Sequence, residues 1–188
     1  MGLRDYTKKL FADTLEDMMR TKPLQQIRVK DLCQKCGAER QSFYYHFKDK
    51  YDLAAWIFMQ DYQAALTDEN GLYSEEHVAR ILRKMREKGA FYKKAFADRS
   101  QNAVRQYIVE YFTKLGEDRI VQELGEEALT TDTRFFVRGH SFACLGHTLE
   151  WLNGKSDYTP EEFARLQYQF MPDILKRAYG VFPASSQE

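Results

Sequence analysis

Ile27-Arg28-Val29-Lys30-Asp31-Leu32-Cys33-Gln34-Lys35-Cys36-Gly37, followed directly by Ala38-Glu39-Arg40-Gln41-Ser42-Phe43-Tyr44-Tyr45-His46-Phe47, decides the fold. Val29, Leu32, Cys33 and Cys36 recur at three- and four-residue steps, so they share the buried face of one short helix. Gly37 supplies the left-handed conformation that stops it. Glu39 to Phe47 restarts at once as a second short helix, and Lys48-Asp49-Lys50 is a polar turn. Two short helices about a glycine-centred turn, after a longer helix, form the pattern of a helix-turn-helix.

The longer helix lies upstream, over about 5–20. Leu10, Phe11, Leu15, Met18 and Met19 make one apolar stripe there. Lys22-Pro23 ends it, because the residue before proline avoids the helical region. Downstream, Tyr51 to about Thr67 is amphipathic and carries Leu53, Trp56, Ile57 and Met59 to Tyr62. Asp68-Glu69-Asn70-Gly71 is a loop. Further helices are predicted over 74–88, 90–98 and 101–115, with a weaker one over 119–129. Two strong helices, over 131–152 and 160–179, close the chain. Asn153-Gly154-Lys155 separates them, and Thr159 caps the last with Pro160 at its first position. The tail from Val181 is expected to fray. Strand-like alternation is absent, so the fold class is all-α. The expected division is an N-terminal three-helix, helix-turn-helix DNA-binding domain over 1–50 and a larger helical ligand-binding and dimerisation domain over 51–188.

Composition supports helices: 13 Phe and 12 Tyr stand against only 10 Gly and 4 Pro. A hydrophobic share of 44% and a charged share of 30% are those of a soluble globular chain. Zero net charge at first argues against nucleic acid, but the charge is unevenly placed. Residues 1–50 carry 11 Lys and Arg against 7 Asp and Glu, and the rest of the chain carries the opposite excess. The 3 cysteines form no even disulfide framework, and no stretch resembles a signal peptide or a membrane span. The expected compartment is the reducing cytoplasm, with no membrane partner.

The run Ile27-x-Val29-x-Asp31-Leu32-Cys33-x-x-Cys36-Gly37-Ala38-x-Arg40-x-Ser42-Phe43-Tyr44-Tyr45-His46-Phe47-Lys48-Asp49-Lys50-x-Asp52-Leu53 resembles the TetR family of transcriptional regulators. Its Phe-Tyr-x-His-Phe-x-x-Lys core is the most distinctive part. The match covers about the first 60 residues; beyond them only length and helical content are similar. The resemblance implies that Arg40, Gln41, Ser42 and Tyr45 face the major groove of a DNA operator. Arg40 then suits guanine and Gln41 adenine, each in a bidentate pair. It places Tyr44, His46 and Lys50 on phosphates, with Lys48 beside them and Lys30 reaching the backbone or a base. Phe43 and Phe47 face inward. Two positions depart from the family: Arg28 where Thr is usual and Glu39 where Ser is frequent. Both are N-cap positions, where a missing cap costs about 1 kcal/mol. The operator sequence therefore does not carry over.

Other constellations have a plain reading and a sharper one. Cys33-x-x-Cys36 reads as buried thiols, a redox pair or half a metal site, but structural zinc needs four ligands and none complete the set. His140 and His147 lie seven apart on one helix, as do Gly139 and Gly146 beside them. With Phe135, Phe142 and Leu149 they suggest a helix–helix seam; the histidines alternatively line a pocket. The aromatics Phe91, Tyr92, Phe96, Tyr107, Tyr111 and Phe112 are either core or the wall of a site for a partly polar organic ligand. Tyr92, Phe96, Tyr107, Tyr111, Phe136, His140 and His147 are the pocket candidates. Arg83, Lys84, Arg86, Lys88, Lys93 and Lys94 read as a solvated basic face.

One helix-turn-helix contacts few base pairs, so specificity calls for two copies reading half-sites about 34–36 Å apart. The resemblance puts the homodimer contact on the last two helices. Phe142, Gly146, Leu149, Phe163, Leu166, Phe170 and Ile174 are its expected anchors. An effector that tilts the helix from Tyr51 then breaks the match to the groove spacing and releases DNA. This describes a ligand-responsive repressor. The stretches from Tyr44 to Trp56 and from Gly146 to Leu152 also resemble a subgroup that includes dihydroxyacetone-kinase operon activators. Those take a protein coactivator, so an activator or interaction protein regulated by a protein coregulator stands as the alternative. No Gly-rich phosphate loop, nucleophile–base pair or adequate metal set is present, so no enzyme activity and no cofactor are expected.

Overall fold

A computed structural model describes residues 3–66, 74–97 and 104–181. The loop expected at 68–71, the start of the helix expected from 101 and the tail beyond 181 lie outside the described residues. Among the described residues ten α-helices run in chain order: α1 (Leu3–Thr21), α2 (Val29–Cys36), α3 (Arg40–His46), α4 (Lys50–Ala65), α5 (Glu75–Glu87), α6 (Gly89–Ala97), α7 (Val104–Leu124), α8 (Thr131–Leu152), α9 (Pro160–Gln169) and α10 (Asp173–Ala178). There is no strand among the described residues, and the fold is all-α. Packing divides the chain into two compact units, one of 1–61 with 88–107 and one of 62–87 with 108–188.

The first unit is built on the stripe of α1. Phe11, Leu15 and Met19 are fully buried, as are Leu24, Ile27, Leu32, Phe43 and Leu53. Phe11 meets Phe43 edge-on with ring centroids 5.3 Å apart and Phe47 at 6.4 Å. These contacts hold short helices that have too few turns to persist alone. Helix α6 is tied to this unit by two lysines. Lys94 donates to the carbonyls of Met19 and Arg20 at 2.7 and 2.8 Å, satisfying the open C-terminal end of α1. Lys88 donates to Glu16 at 2.9 Å and to Asp61 at 3.1 Å, and the Tyr92 hydroxyl donates to Asp61 at 2.5 Å. Burial opposes the Lys88 charge, but the bonds to Asp61 and Glu16 outweigh it and hold the ammonium above the usual lysine range. Burial, with the Asp61 carboxylate beside it, pushes the Tyr92 phenol up. Lys88 and Lys94 are thus structural ties, not the solvated face their spacing suggests.

The second unit packs Ile120, Val137, Met171, Leu175 and Ala178 into one cluster. The two helices predicted over 101–115 and 119–129 are a single helix, α7, ended by Gly125 at φ 90°. Gly116 lies inside α7 without breaking it. A Cβ there would come within 3.0 Å of Val137 and 3.1 Å of Leu175, so the glycine permits close approach. The single helix predicted over 160–179 is instead two, α9 and α10. Pro172 interrupts it, since a helix-interior proline removes one hydrogen bond and clashes with the preceding turn. The start of α9 is as predicted. Thr159 Oγ1 accepts from the Glu162 amide at 3.1 Å, and Glu162 accepts from the Thr159 amide at 2.9 Å. Arg83 bridges Glu76 and Glu161, and Arg86 sits 4.8 Å from the Trp151 ring while donating to the Tyr158 carbonyl at 3.0 Å. These bonds join α5 to α9 and to the turn before it.

Candidate nucleic-acid interface

Helix α2 ends at Gly37, whose φ of 69° is left-handed. The amides of Gly37 and Ala38 close on the carbonyls of Gln34 and Cys33, at 3.4 and 3.0 Å. This turn launches α3. Arg28 and Glu39 occupy the two N-cap positions, and neither side chain makes a cap hydrogen bond. Helix α3 is therefore held by its inner side, where Phe43 and Phe47 are buried. Its outer side presents Arg40, Gln41, Tyr44 and Tyr45, all exposed, with Ser42 and His46 half-buried at the edges. The Arg40 guanidinium lies 5.9 Å from the Tyr44 ring, which steadies its direction. The result is one cation, one amide and two phenols on a single exposed helical edge.

Lys30, in the first turn of α2, and Lys48, just after α3, are also exposed. Lys50 is placed otherwise. Its ammonium donates to the carbonyls of Gln25 and Ile27, both at 2.9 Å, and rests 5.1 Å from the Tyr51 ring. It clamps the segment entering α2. Asp49 and Asp52, which the sequence offered only as part of a polar turn and of the family motif, form a cap. Asp49 accepts from the amides of Tyr51 and Asp52 at 2.8 Å, and Asp52 accepts from the Lys48 amide at 2.8 Å. This reciprocal cap fixes the start of α4 directly after the recognition segment, and the Asp49-x-x-Asp52 spacing was its available signal. Lys35 and Asp17 form an ion pair that ties α2 to α1, and that hydrogen bond holds the Asp17 carboxyl below its ordinary range.

Cys33 is buried and Cys36 half-buried; both are free thiols, and burial raises the Cys33 pKa. No group of three or more metal-ligating side chains occurs among the described residues.

The seven pocket candidates are divided between the two units. Tyr92 and Phe96 are buried in the first unit, stacked at 5.7 Å, and Tyr107 donates to Asp49 there at 3.4 Å. Tyr111 belongs to the second unit, packed on Tyr62. Phe136 is exposed and lines, with His140, an open groove of about 630 Å³ together with Phe135, Phe170 and Ile174. His147 is exposed and lines a different groove, with Phe163 and Leu166. The α8 register turns Phe136 and His147 outward, so these two are surface residues. His140 packs 5.8 Å from the Phe170 ring and 3.5 Å from Cys144; burial lowers its pKa to about 4 and raises that of Cys144 to about 12.

Of the seven dimer candidates, Phe142, Gly146 and Phe170 are exposed, and Leu149, Leu166 and Ile174 are half-buried. Phe163 is a correction. It faces its own subunit from α9, tilted against Trp151 at 5.4 Å and stacked on Tyr158 at 6.1 Å, and is buried. Phe135 and Phe136 instead join the exposed face, at 74% and 56% exposure.

Residues 74–173 match a TetR-type family described as a transcriptional regulator C-terminal region. The chain is 32% identical over 91 residues to the HTH-type dhaKLM operon transcriptional activator DhaS of Lactococcus lactis subsp. lactis (strain IL1403). That alignment spans 48% of this chain and 49% of the relative, so about half of each. The solved structure of the dihydroxyacetone kinase operon activator DhaS superposes with a TM-score of 0.52 at 21% identity, covering 95% of this chain and 98% of that one. A TetR-family transcriptional regulator from Streptomyces coelicolor superposes with a TM-score of 0.51 at 13% identity, covering 98% and 93%. These two likenesses concern the fold.

Proposed function

The chain belongs to the TetR family of transcriptional regulators, and from that premise we propose that it binds duplex DNA as a homodimer through the outer edge of α3. The observation that carries this reading is the division of α3 itself. Phe43 and Phe47 lock one side, and Arg40, Gln41, Tyr44 and Tyr45 are exposed on the other. Arg40 and Gln41 are the base readers. Tyr44, Tyr45, Lys30 and Lys48 position the duplex through phosphates. Ser42 and His46 border the contact. Lys50 acts on DNA chiefly by fixing the entry to α2. The second copy docks on the exposed face of α8 with Phe170 and Ile174.

Occupancy of the operator represses, and an effector that favours another state of the dimer relieves it. No membrane partner enters this reading, and no described helix is long and apolar enough to cross a membrane. Activation is the second reading, favoured by one observation: the relative that aligns with half of this chain is named a transcriptional activator.

Selection of bound sequences from random duplex DNA, followed by gel shifts across a salt series, tests the proposal. The expected result is a site with two-fold symmetry and affinity that falls steeply with salt. Failure to enrich any sequence, or affinity indifferent to salt, overturns it. A transcription assay on the selected site then separates repression from activation.

A further inference from the structure

The outer face of α8 combines exposed phenylalanines and two glycines, with Arg138 5.2 Å from the Phe142 ring. Phe135, Phe142 and Phe136 expose 74%, 54% and 56% of their surface, and Phe170 beside them exposes 54%. Gly139 and Gly146 lie inside the same helix, where glycine is unfavourable relative to alanine. A Cβ built on either would meet nothing within 4 Å. Nothing in the subunit's own packing asks for the missing methyl groups. Gly116 is the contrast, because there a Cβ would press on Val137 and Leu175.

The order of these residues is Phe135, Gly139, Phe142, Gly146. At 100° per residue all four fall on one side of the helix, as the two seven-residue spacings require. Reversing the helix about a point between His140 and Ser141 exchanges Phe135 with Gly146 and Phe142 with Gly139. Both large side chains then meet a gap at once. Shifting the reversed copy by one heptad in either direction leaves only one such match. A parallel pairing sets Phe135 against Phe135. The face is thus complementary to its own reversed copy in one register.

Resting on the homodimer reading above, we propose that two copies pair through α8 in antiparallel fashion, with the two-fold axis between His140 and Ser141, each Phe135 seated on the partner's Gly146 and each Phe142 on the partner's Gly139. The apolar area fits a second copy. The four exposed phenylalanines alone offer on the order of 400 Å², where a standard interface buries about 800 Å² per partner. Leu149 and Ile174, half-buried at the margin, extend the same surface. Glycine lets the two backbones approach closely, and the seven-residue repeat suits a shallow left-handed crossing.

Cysteine cross-linking reads the register. In full-length protein with Cys33, Cys36 and Cys144 replaced by Ala or Ser, Phe135→Cys and Gly146→Cys are made as separate proteins. In the proposed dimer, identical positions on the two copies lie about 16 Å apart along the helices, beyond disulfide reach. Each variant alone therefore stays uncross-linked under mild oxidation. After subunit exchange in an equal mixture, roughly half of the chains form a covalent dimer that reductant dissolves. Light scattering on the parent protein accompanies the test. A dimer whose mixed variants do not cross-link, or whose single variants do, overturns the register while the homodimer stands. A protein that stays monomeric at every concentration overturns both.

Discussion

Helices α3 and α8 both leave aromatic rings in water, and the company those rings keep differs in kind. On α3 the exposed rings are Tyr44 and Tyr45, set among Arg40 and Gln41. On α8 they are Phe135, Phe136 and Phe142, set among Gly139 and Gly146. Tyrosine carries a polar tip that stays satisfied in water or against a phosphate. Phenylalanine has no such tip and gains only by leaving water. Exposure alone therefore says little. The neighbouring side chains decide whether a ring awaits a polyanion or another apolar surface.

The sharpest way to break the comparison is to attack the hidden side of α3. Phe43→Ala removes a ring with 0% exposure from the cluster with Phe11 and Phe47. The expected loss is about 3–5 kcal/mol of stability, read by urea denaturation, and DNA binding disappears with the fold of the unit. Retained stability would mean that α3 is not anchored by its inner face.

Arg40→Ala acts on the other side of the same helix. It is expected to leave stability within about 0.5 kcal/mol and to weaken operator binding by about 1–3 kcal/mol with relaxed preference at one base pair. Gel shifts against single-base operator variants measure this. An unchanged base preference would remove Arg40 from the readout.

The contrast between these two sides was legible in the sequence, because the Phe43 and Phe47 spacing and the Gly37 stop are local signals. So was the cap of α9, where Thr159, Pro160 and Glu162 act within one turn. What stayed hidden depends on partners distant in the chain. The lysines at 88 and 94 read as a solvated run because nothing near them shows that Glu16, Asp61 and the end of α1 receive them. Gly116 fell in the gap between the helices predicted over 101–115 and 119–129, because its reason, the approach of Val137 and Leu175, lies outside its own helix. Phe163 read as a dimer anchor because periodicity marks an apolar face without saying what covers it.

On α8, the boundary between the inner and outer faces runs past His140. Burial against Phe170 and Cys144 lowers its pKa to about 4, from the ordinary 6.5. A lowered histidine pKa means that the unfolded chain binds the proton more readily. The stability this neutral side chain contributes is intact above pH 6.5, declines as pH falls below 6.5, and stops declining below about 4. Discounting for remaining solvent contact, moving from pH 7 to pH 5 is expected to cost about 1 kcal/mol through this residue. His140→Gln should flatten that part of the profile in thermal melts. An identical pH slope in the variant would assign it to other groups.

The smallest effect discriminates best because its sign changes with location. Gly139→Ala adds a methyl group where nothing lies within 4 Å inside the subunit. In an isolated chain it should raise helix stability by about 0.5–1 kcal/mol. At the proposed dimer contact the same methyl takes the space meant for a partner ring, so association should weaken. Gly116→Ala is the control. Its methyl would meet Val137 at 3.0 Å and Leu175 at 3.1 Å, so it should destabilise the chain itself. Denaturation at low protein concentration and light scattering over a dilution series separate the two contributions, since association stabilises by mass action. A Gly139→Ala protein that is more stable and dimerises as well as its parent would mean that the phenylalanines of α8 meet something other than this helix's own copy.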